Sequence, residues 1–250
     1  MKPEPRALFF DFDGTIAETE RDGHRLAYQA TFDELGLDWH WDERLYGELL
    51  AVAGGKERME AFVREHAPPV PPGANLEALI AEIHERKRRR FAAIGPHIAL
   101  RPGVARLSAE AKAAGWFVAV VTTAAPDGVE AVLAARPVVF ATIDLIAAGD
   151  VVAHKKPAPD IYRYALQQLG LEPGEAVAIE DSAIGLRSAR AAGVATLVTR
   201  SSYTLHEDFT GALAVVDDLG EPSVPARVVS GPQPARGYVD LAYLRALVRA

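Results

Sequence analysis

A four-residue apolar run, Ala7-Leu8-Phe9-Phe10, stops abruptly at Asp11-Phe12-Asp13-Gly14-Thr15, and this constrains the fold more than any other part of the chain. A run so short, ended by Asp and Gly, suits a strand buried on both faces of a parallel sheet. Runs of the same kind recur at 117–121, 176–179, 195–198 and 212–216. The last three each follow a helical stretch, at 161–169, at 183–192 and, shorter and weaker, after Tyr203. Gly170, Gly193 and Gly211 stand where those helices should end, as left-handed caps. Strands alternating with helices predict a three-layer α/β domain. Two further strands are expected at 142–150 and 151–153, and a terminal helix at 238–249 after a Pro/Ser/Gly-rich stretch over 221–237.

Between Ala17 and about Leu100 the pattern is helix after helix. Tyr28, Phe32 and Leu35 lie at i, i+4 and i+7, and Leu76, Leu79, Ile80 and Ile83 repeat that spacing. A stiff proline loop at 67–73 separates two of these helices. The predicted organisation is an α/β core over 1–17 and 99–250 with an all-helical insert over 18–98. A chain of 250 residues, 49% apolar and 24% charged, can bury both. Its net charge of −7 disfavours nucleic acid and anionic membranes as partners, so an anionic substrate needs a local cation or a metal. The absence of cysteine removes disulfides, thiolate metal sites and thiol nucleophiles. No apolar stretch is long enough to span a bilayer, and the start of the chain lacks a signal peptide's apolar region, so a cytoplasmic location is expected.

Four polar signals fall at the carboxyl ends of separate predicted strands, the edge where open parallel sheets bind ligands. In Asp11-Phe12-Asp13-Gly14-Thr15 the turn at Gly14 can bring two carboxylates toward one point. That closeness is unfavourable unless a proton or cation is shared, and oxygen-only ligands favour Mg²⁺. Thr122-Thr123 offers hydroxyls and backbone N–H groups to a phosphate. Lys156, in Lys155-Lys156-Pro157, is a cation placed before a helix start, and Glu180-Asp181 is a further carboxylate pair. Each alone reads equally as a turn, a helix cap or a solvated loop. Four in chain order, each closing an apolar strand, are poorly explained by coincidence.

These motifs resemble the four of the haloacid dehalogenase superfamily of phosphatases, across the whole α/β part. The resemblance implies a Rossmann-like core with parallel sheet and makes the helical insert a mobile C1 cap. It implies Asp11 as nucleophile, forming an aspartyl-phosphate, and Asp13 as the acid and base. Thr122 and Lys156 would hold the transferring phosphoryl oxygens. Mg²⁺ would take the Asp11 carboxylate, the Asp13 backbone carbonyl and the Asp181 carboxylate, with Glu180 in support. Asp13 also separates the chain from the family's dehalogenases, which need no acid there.

The insert resembles the beta-phosphoglucomutase-like subgroup, and more narrowly the CbbY-type xylulose-1,5-bisphosphate phosphatases. The stretches that carry this are Ala17–Arg25, Leu37–Trp41, Leu45-Tyr46, Gly54–Met59 and Gly237–Leu241. Gly54-Gly55 before a helix exposes N–H groups to an anion, and Lys56 and Arg58 add positive field, as a second, non-reacting phosphate would require. Glu18, His24 and Arg25 are placed to reach sugar hydroxyls or that phosphate, with Tyr46 and Thr123 as further substrate contacts. Arg86–Arg90 reads as a solvated helix face. The expected substrate is a small sugar bisphosphate, handled by a monomer. Alternatives are a beta-phosphoglucomutase-type mutase and a non-catalytic phosphometabolite-binding protein. Ala124-Ala125-Pro126, where relatives often carry polar or basic residues, favours the phosphatase.

Overall fold

The computed structural model describes residues 4–52, 54–149 and 151–250. Residues 1–3 of the expected 1–17 segment, Ala53 in the insert, and Asp150 at the end of the expected 142–150 strand lie outside the described residues. In chain order the elements begin with β1 (Ala7–Phe10), a π-helical turn over Glu20–His24, α1 (Arg25–Glu34), α2 (Glu43–Leu49), α3 (Gly55–His66) and α4 (Leu76–Ile94). They continue with α5 (Val104–Ala113), β2 (Phe117–Val121), α6 (Pro126–Ala134), α7 (Pro137–Phe140), β3 (Leu145–Ala147) and α8 (Asp160–Leu169). The chain ends with β4 (Ala176–Glu180), α9 (Ala183–Ala191), β5 (Ala195–Thr199), β6 (Ala214–Val216), β7 (Val228–Ser230) and α10 (Leu241–Arg249). Two compact units result, one of 1–18 with 99–250 and one of 19–98.

The first unit is a mostly parallel seven-stranded sheet in the order β3-β2-β1-β4-β5-β6-β7, with β7 alone antiparallel. β1 is central: Phe10 stands opposite Val120 of β2 and Ile179 of β4, so Asp11 falls level with Val121 and Glu180, and Thr122 and Asp181 follow one residue on. Ala7 and Phe9 join Ala119, Val121 and Ala178 beneath Ile161, Tyr162 and Ala165 of α8. Their alternates Leu8, Phe10, Val118 and Val120 are equally buried, and α5 packs on β1 and β2. Covered faces are why these strands are uniformly apolar rather than alternating.

Several boundaries differ from expectation. No helix follows Tyr203 among the described residues; the 201–212 segment is turns. There the Ser201 N–H donates to Thr204 Oγ1 at 2.9 Å, and both the amide and hydroxyl of Thr210 donate to Asp208. Such side-chain bonds compete with a helix's own. Gly211 does adopt φ +97°, closing a turn instead. The strand expected over 212–216 starts at Ala214, that over 142–150 narrows to Leu145–Ala147, and 151–153 forms bends. β7 lies inside the Pro/Ser/Gly-rich stretch, where no strand was expected. The last helix starts at Leu241, where Asp240 accepts the Tyr243 N–H as its cap.

The second unit is all-helical among its described residues. Its centre is aromatic: Tyr28, Phe32, Trp39, Trp41, Tyr46 and Phe62 are all buried, with Phe32, Trp39 and Phe62 in edge-to-face contact at 5.4–5.5 Å. The proline loop joins α3 to α4, and Pro69 O accepts the Trp39 indole N–H at 2.8 Å. No helix of the described residues is long and apolar enough to cross a membrane.

Phe9 is fully buried on the central strand. Phe9→Ala is expected to lower unfolding free energy by about 3–5 kcal/mol, read as a shifted midpoint in urea denaturation.

Candidate active site

The site of the α/β unit grows from β1. Its last carbonyls and amides are taken up by β2 and β4, and the Asp11 amide donates to Ile179 O at 2.9 Å. Asp11 is thereby held at the strand end, buried, where desolvation raises its pKa against the pull of Lys156. Lys156 comes from the loop before α8, not a solvated one. Its ammonium donates to Asp11 Oδ1 at 2.6 Å, Glu180 Oε1 at 2.7 Å and Val121 O at 2.9 Å. Burial opposes that charge, but the two carboxylates overcome it and hold the ammonium above the ordinary lysine value.

Glu180 ends β4, wholly buried. Its Oε1 also accepts the Tyr162 hydroxyl at 2.5 Å, and its Oε2 has no hydrogen-bond partner among the described residues. Burial pushes Glu180 up to about 7, with Lys156 opposing. A Cβ on Gly185 would stand 1.8 Å from Glu180 Oε2, so only glycine lets the first turn of α9 pass. Burial, then the charges of Asp11 and Glu180, raise Asp181 strongly, while a hydrogen bond from Ser201 opposes the rise. Carboxylate oxygens of Asp11, Glu180 and Asp181 lie within 4.8 Å of one another.

The Gly14 turn sets the remaining geometry. Gly14 has φ +78°, its amide donates to Ala17 O at 2.8 Å, and a Cβ there would fall 2.1 Å from Asp181 Oδ2. The motif therefore requires glycine twice over, for conformation and for space. Asp13, half-buried on this turn, adds its charge to the field that raises Asp11. Thr122 is buried, with its amide on Ala147 O at 2.9 Å and its Oγ1 accepting the Ala124 N–H at 3.1 Å. The hydroxyl thus caps the turn, as a plain reading allowed, and keeps its own proton to donate. Thr123 is half-buried beside it. Glu18 accepts the Ser202 hydroxyl at 3.0 Å and pairs with Arg101 Nε at 3.5 Å.

In the helical unit the expected substrate residues fall into a polar cluster and its surroundings. The Tyr46 hydroxyl, fully buried, donates to Glu20 Oε2 at 2.5 Å and accepts from Arg58 at 3.1 Å. His24 stacks on Phe91 at 3.8 Å, its Nδ1 2.9 Å from Lys87 Nζ. Lys87 is buried near the Tyr28 and Phe91 rings, which corrects the reading of Arg86–Arg90 as a uniformly solvated face. Heptad-like position decides this: Lys87 lies on the Ile80–Ile83 side of α4, whereas Arg86, Arg88, Arg89 and Arg90 pair with Glu34, Glu82 and Glu85. Arg25 lies 3.6 Å from Glu43, Lys56 is exposed on the first turn of α3, and the Gly55 carbonyl accepts the Tyr28 hydroxyl at 3.2 Å. Sequence reasoning missed Tyr162, Ser201, Arg101, Glu20 and Lys87. Only Tyr162, six residues past Lys156, and Glu20, inside Ala17–Arg25, stood near a motif, and their partners are distant in the chain.

The fold and these groups place the chain among known enzymes. The haloacid dehalogenase-like hydrolase family matches residues 5–193. The chain belongs to this family and is an enzyme of its phosphatase type. Among its relatives is the plasmid-encoded protein CbbY of Cupriavidus necator, 45% identical over 96% of each chain. CbbY of Cereibacter sphaeroides is 48% identical over 86% of this chain and 93% of its own. The crystal structure of CbbY from Rhodobacter sphaeroides with phosphate superposes with a TM-score of 0.78 at 48% identity, covering 86% of this chain and 94% of that one. An aspartate-to-asparagine mutant of that protein was crystallised with xylulose-(1,5)bisphosphate, with the same score and coverage.

Tyr162→Phe removes one of the donors to buried Glu180 and should cost about 1–3 kcal/mol in urea denaturation. A second expectation concerns pH. Burial, aided by Lys87, lowers His24 to about 3, so the unfolded chain binds a proton near pH 6.5 that the folded chain refuses. His24 therefore contributes a loss of stability as pH falls from about 6.5 toward 3. Thermal melts across that window should show a shallower decline in His24→Asn than in the wild type.

Proposed function

We propose that this chain is a Mg²⁺-dependent phosphatase of small sugar bisphosphates, with xylulose 1,5-bisphosphate hydrolysed to xylulose 5-phosphate. The observation that carries the chemistry is buried Asp11, clamped by Lys156 at 2.6 Å within a group of three carboxylates. Asp11 attacks phosphorus, the bond to the sugar oxygen breaks, and Asp13 gives that oxygen its proton. Asp13 then takes a proton from the water that attacks the aspartyl-phosphate, releasing phosphate and restoring Asp11. Lys156 and the Thr122 hydroxyl bind the phosphoryl oxygens, Lys156 being oriented by Glu180 and Val121 O.

The residues fit a hard divalent cation. Of the three buried carboxylates, Asp11 and Glu180 pair with Lys156 and Asp181 does not, and Glu180 Oε2 lacks a hydrogen-bond partner among the described residues. Asp11 and Asp181 would hold Mg²⁺ through their carboxylates and Asp13 through its carbonyl, with Glu180 in support. When bound, the ion offsets the repulsion between carboxylate and phosphate. In the helical unit, Gly55 and Lys56 at the start of α3, with Arg58, take the non-reacting phosphate. His24, Arg25, Tyr46, Glu18 and Thr123 complete the recognition of the sugar. The substrate assignment draws its support from the 48% identical relative crystallised with xylulose-(1,5)bisphosphate. Against a mutase, α6 opens on Ala125 and Pro126, positions at which a polar or basic side chain would serve a bisphosphate intermediate.

A phosphate-release screen with Mg²⁺ over pentulose and hexose mono- and bisphosphates tests the proposal. Free phosphate from bisphosphates is expected, most from xylulose 1,5-bisphosphate, and chelation should stop it. Asp11→Asn should lower kcat by about three orders of magnitude or more. Undiminished activity in that variant would overturn the mechanism, and preference for monophosphates would remove the second-phosphate role of Lys56 and Arg58.

A further inference from the structure

Arg101 has no assigned role, yet its guanidinium joins three loops of the α/β unit. Nη1 donates to Gly14 O and to Thr199 O at 3.1 Å and lies 3.3 Å from Thr199 Oγ1. Nη2 donates to Arg200 O at 2.6 Å and Asp217 O at 2.5 Å, and Nε faces Glu18 at 3.5 Å. Its side chain is only 9% exposed. The Arg101 amide is fixed as well, donating to Ile16 O at 2.8 Å beside the Ala17–Leu100 bridge.

The loops it grips are those that locate Asp181. Gly14 lies so close to Asp181 that a Cβ would overlap Oδ2, and the same Cβ would stand 2.9 Å from that of Ser201, one residue past Arg200. The same turn carries Asp13, and Arg101 holds its Gly14 carbonyl directly. A planar fork with donors on three separate nitrogens can reach carbonyls spaced farther apart than the one nitrogen of a lysine can bring together. We propose that Arg101 is a positioning residue for the reaction, holding the Gly14 turn and the Thr199–Ser201 segment at the spacing that the cation site and the acid–base Asp13 require. This rests on the reading of Asp13 and Asp181 given under the proposed function.

Arg106 supplies a matched control. It too donates to backbone carbonyls, those of Leu219 and Gly220, but touches neither the Gly14 turn nor Ser201. Mg²⁺ binding to the metal-free full-length protein is measured by calorimetry, alongside kcat, KM and thermal unfolding, for wild type, Arg101→Lys, Arg101→Ala and Arg106→Ala. Arg101→Lys keeps charge and stem, and it carries the test if the alanine variant does not fold. The expected result is Mg²⁺ affinity weakened about 10- to 100-fold in Arg101→Lys, with kcat lowered and KM little changed. Guanidinium at millimolar concentration should restore part of the kcat of Arg101→Ala. Arg106→Ala should lower the melting temperature while binding Mg²⁺ as the wild type does. Wild-type affinity and kcat in Arg101→Lys would overturn the assignment of Arg101, as would equal losses in Arg106→Ala. Failure of the wild type itself to bind Mg²⁺ would instead overturn the reading of the carboxylate site.

Discussion

The ammonium of Lys156 is the contact on which the site depends, because it joins three strand ends that the sheet alone leaves as separate carboxylates and carbonyls. It meets Asp11 after β1, Val121 O at the end of β2 and Glu180 at the end of β4. Each of those oxygens is buried, and a buried carboxylate without a cation nearby would take up a proton. Removing one partner from such an arrangement leaves an uncompensated buried charge, whereas in the intact set Lys156 opposes the rise that burial imposes on Asp11 and fixes its carboxylate in direction. The parallel register makes this possible, since Phe10 stands level with both Val120 and Ile179.

Around that contact the backbone is shaped by exclusion. Gly14 and Gly185 bring main chain against Asp181 and Glu180 at distances no side chain would tolerate. The result is a small volume crowded with acid, in which Lys156, Tyr162 and Ser201 satisfy some oxygens and leave Glu180 Oε2 without a partner. An excess of buried negative charge is the condition under which a divalent cation binds best. The helical unit repeats the theme with different chemistry, its Glu20–Tyr46–Arg58 chain of hydrogen bonds bordering an aromatic centre.

Much of this was legible in the residues. The apolar runs located β1, β2, β4 and β5 because strands covered on both faces carry no polar alternation. Asp11, Thr122 and Glu180-Asp181 stood out because each ends such a run or follows it directly, and Lys156 because it is a cation placed before a helix start. The segment after Tyr203 misled because its helical spacing competes with Ser, Thr and Asp side chains that bond the backbone locally. Lys87 misled because a run of five cations hides which one faces inward. Arg101 was invisible, since its acceptors are carbonyls, and every residue carries one.

By itself, then, the sequence determined the alternation of strand and helix, the inserted helical stretch, and which side chains could do chemistry at the strand ends. Those follow from local hydrophobic pattern and residue type. Only the tertiary structure decided that Lys156 is buried between Asp11 and Glu180, that Tyr162 and Ser201 complete the acid cluster, and that Arg101 ties Gly14 to Thr199 and Asp217. These contacts join residues far apart in the chain, and their strength comes from shared desolvation, which no single segment possesses until the sheet has assembled.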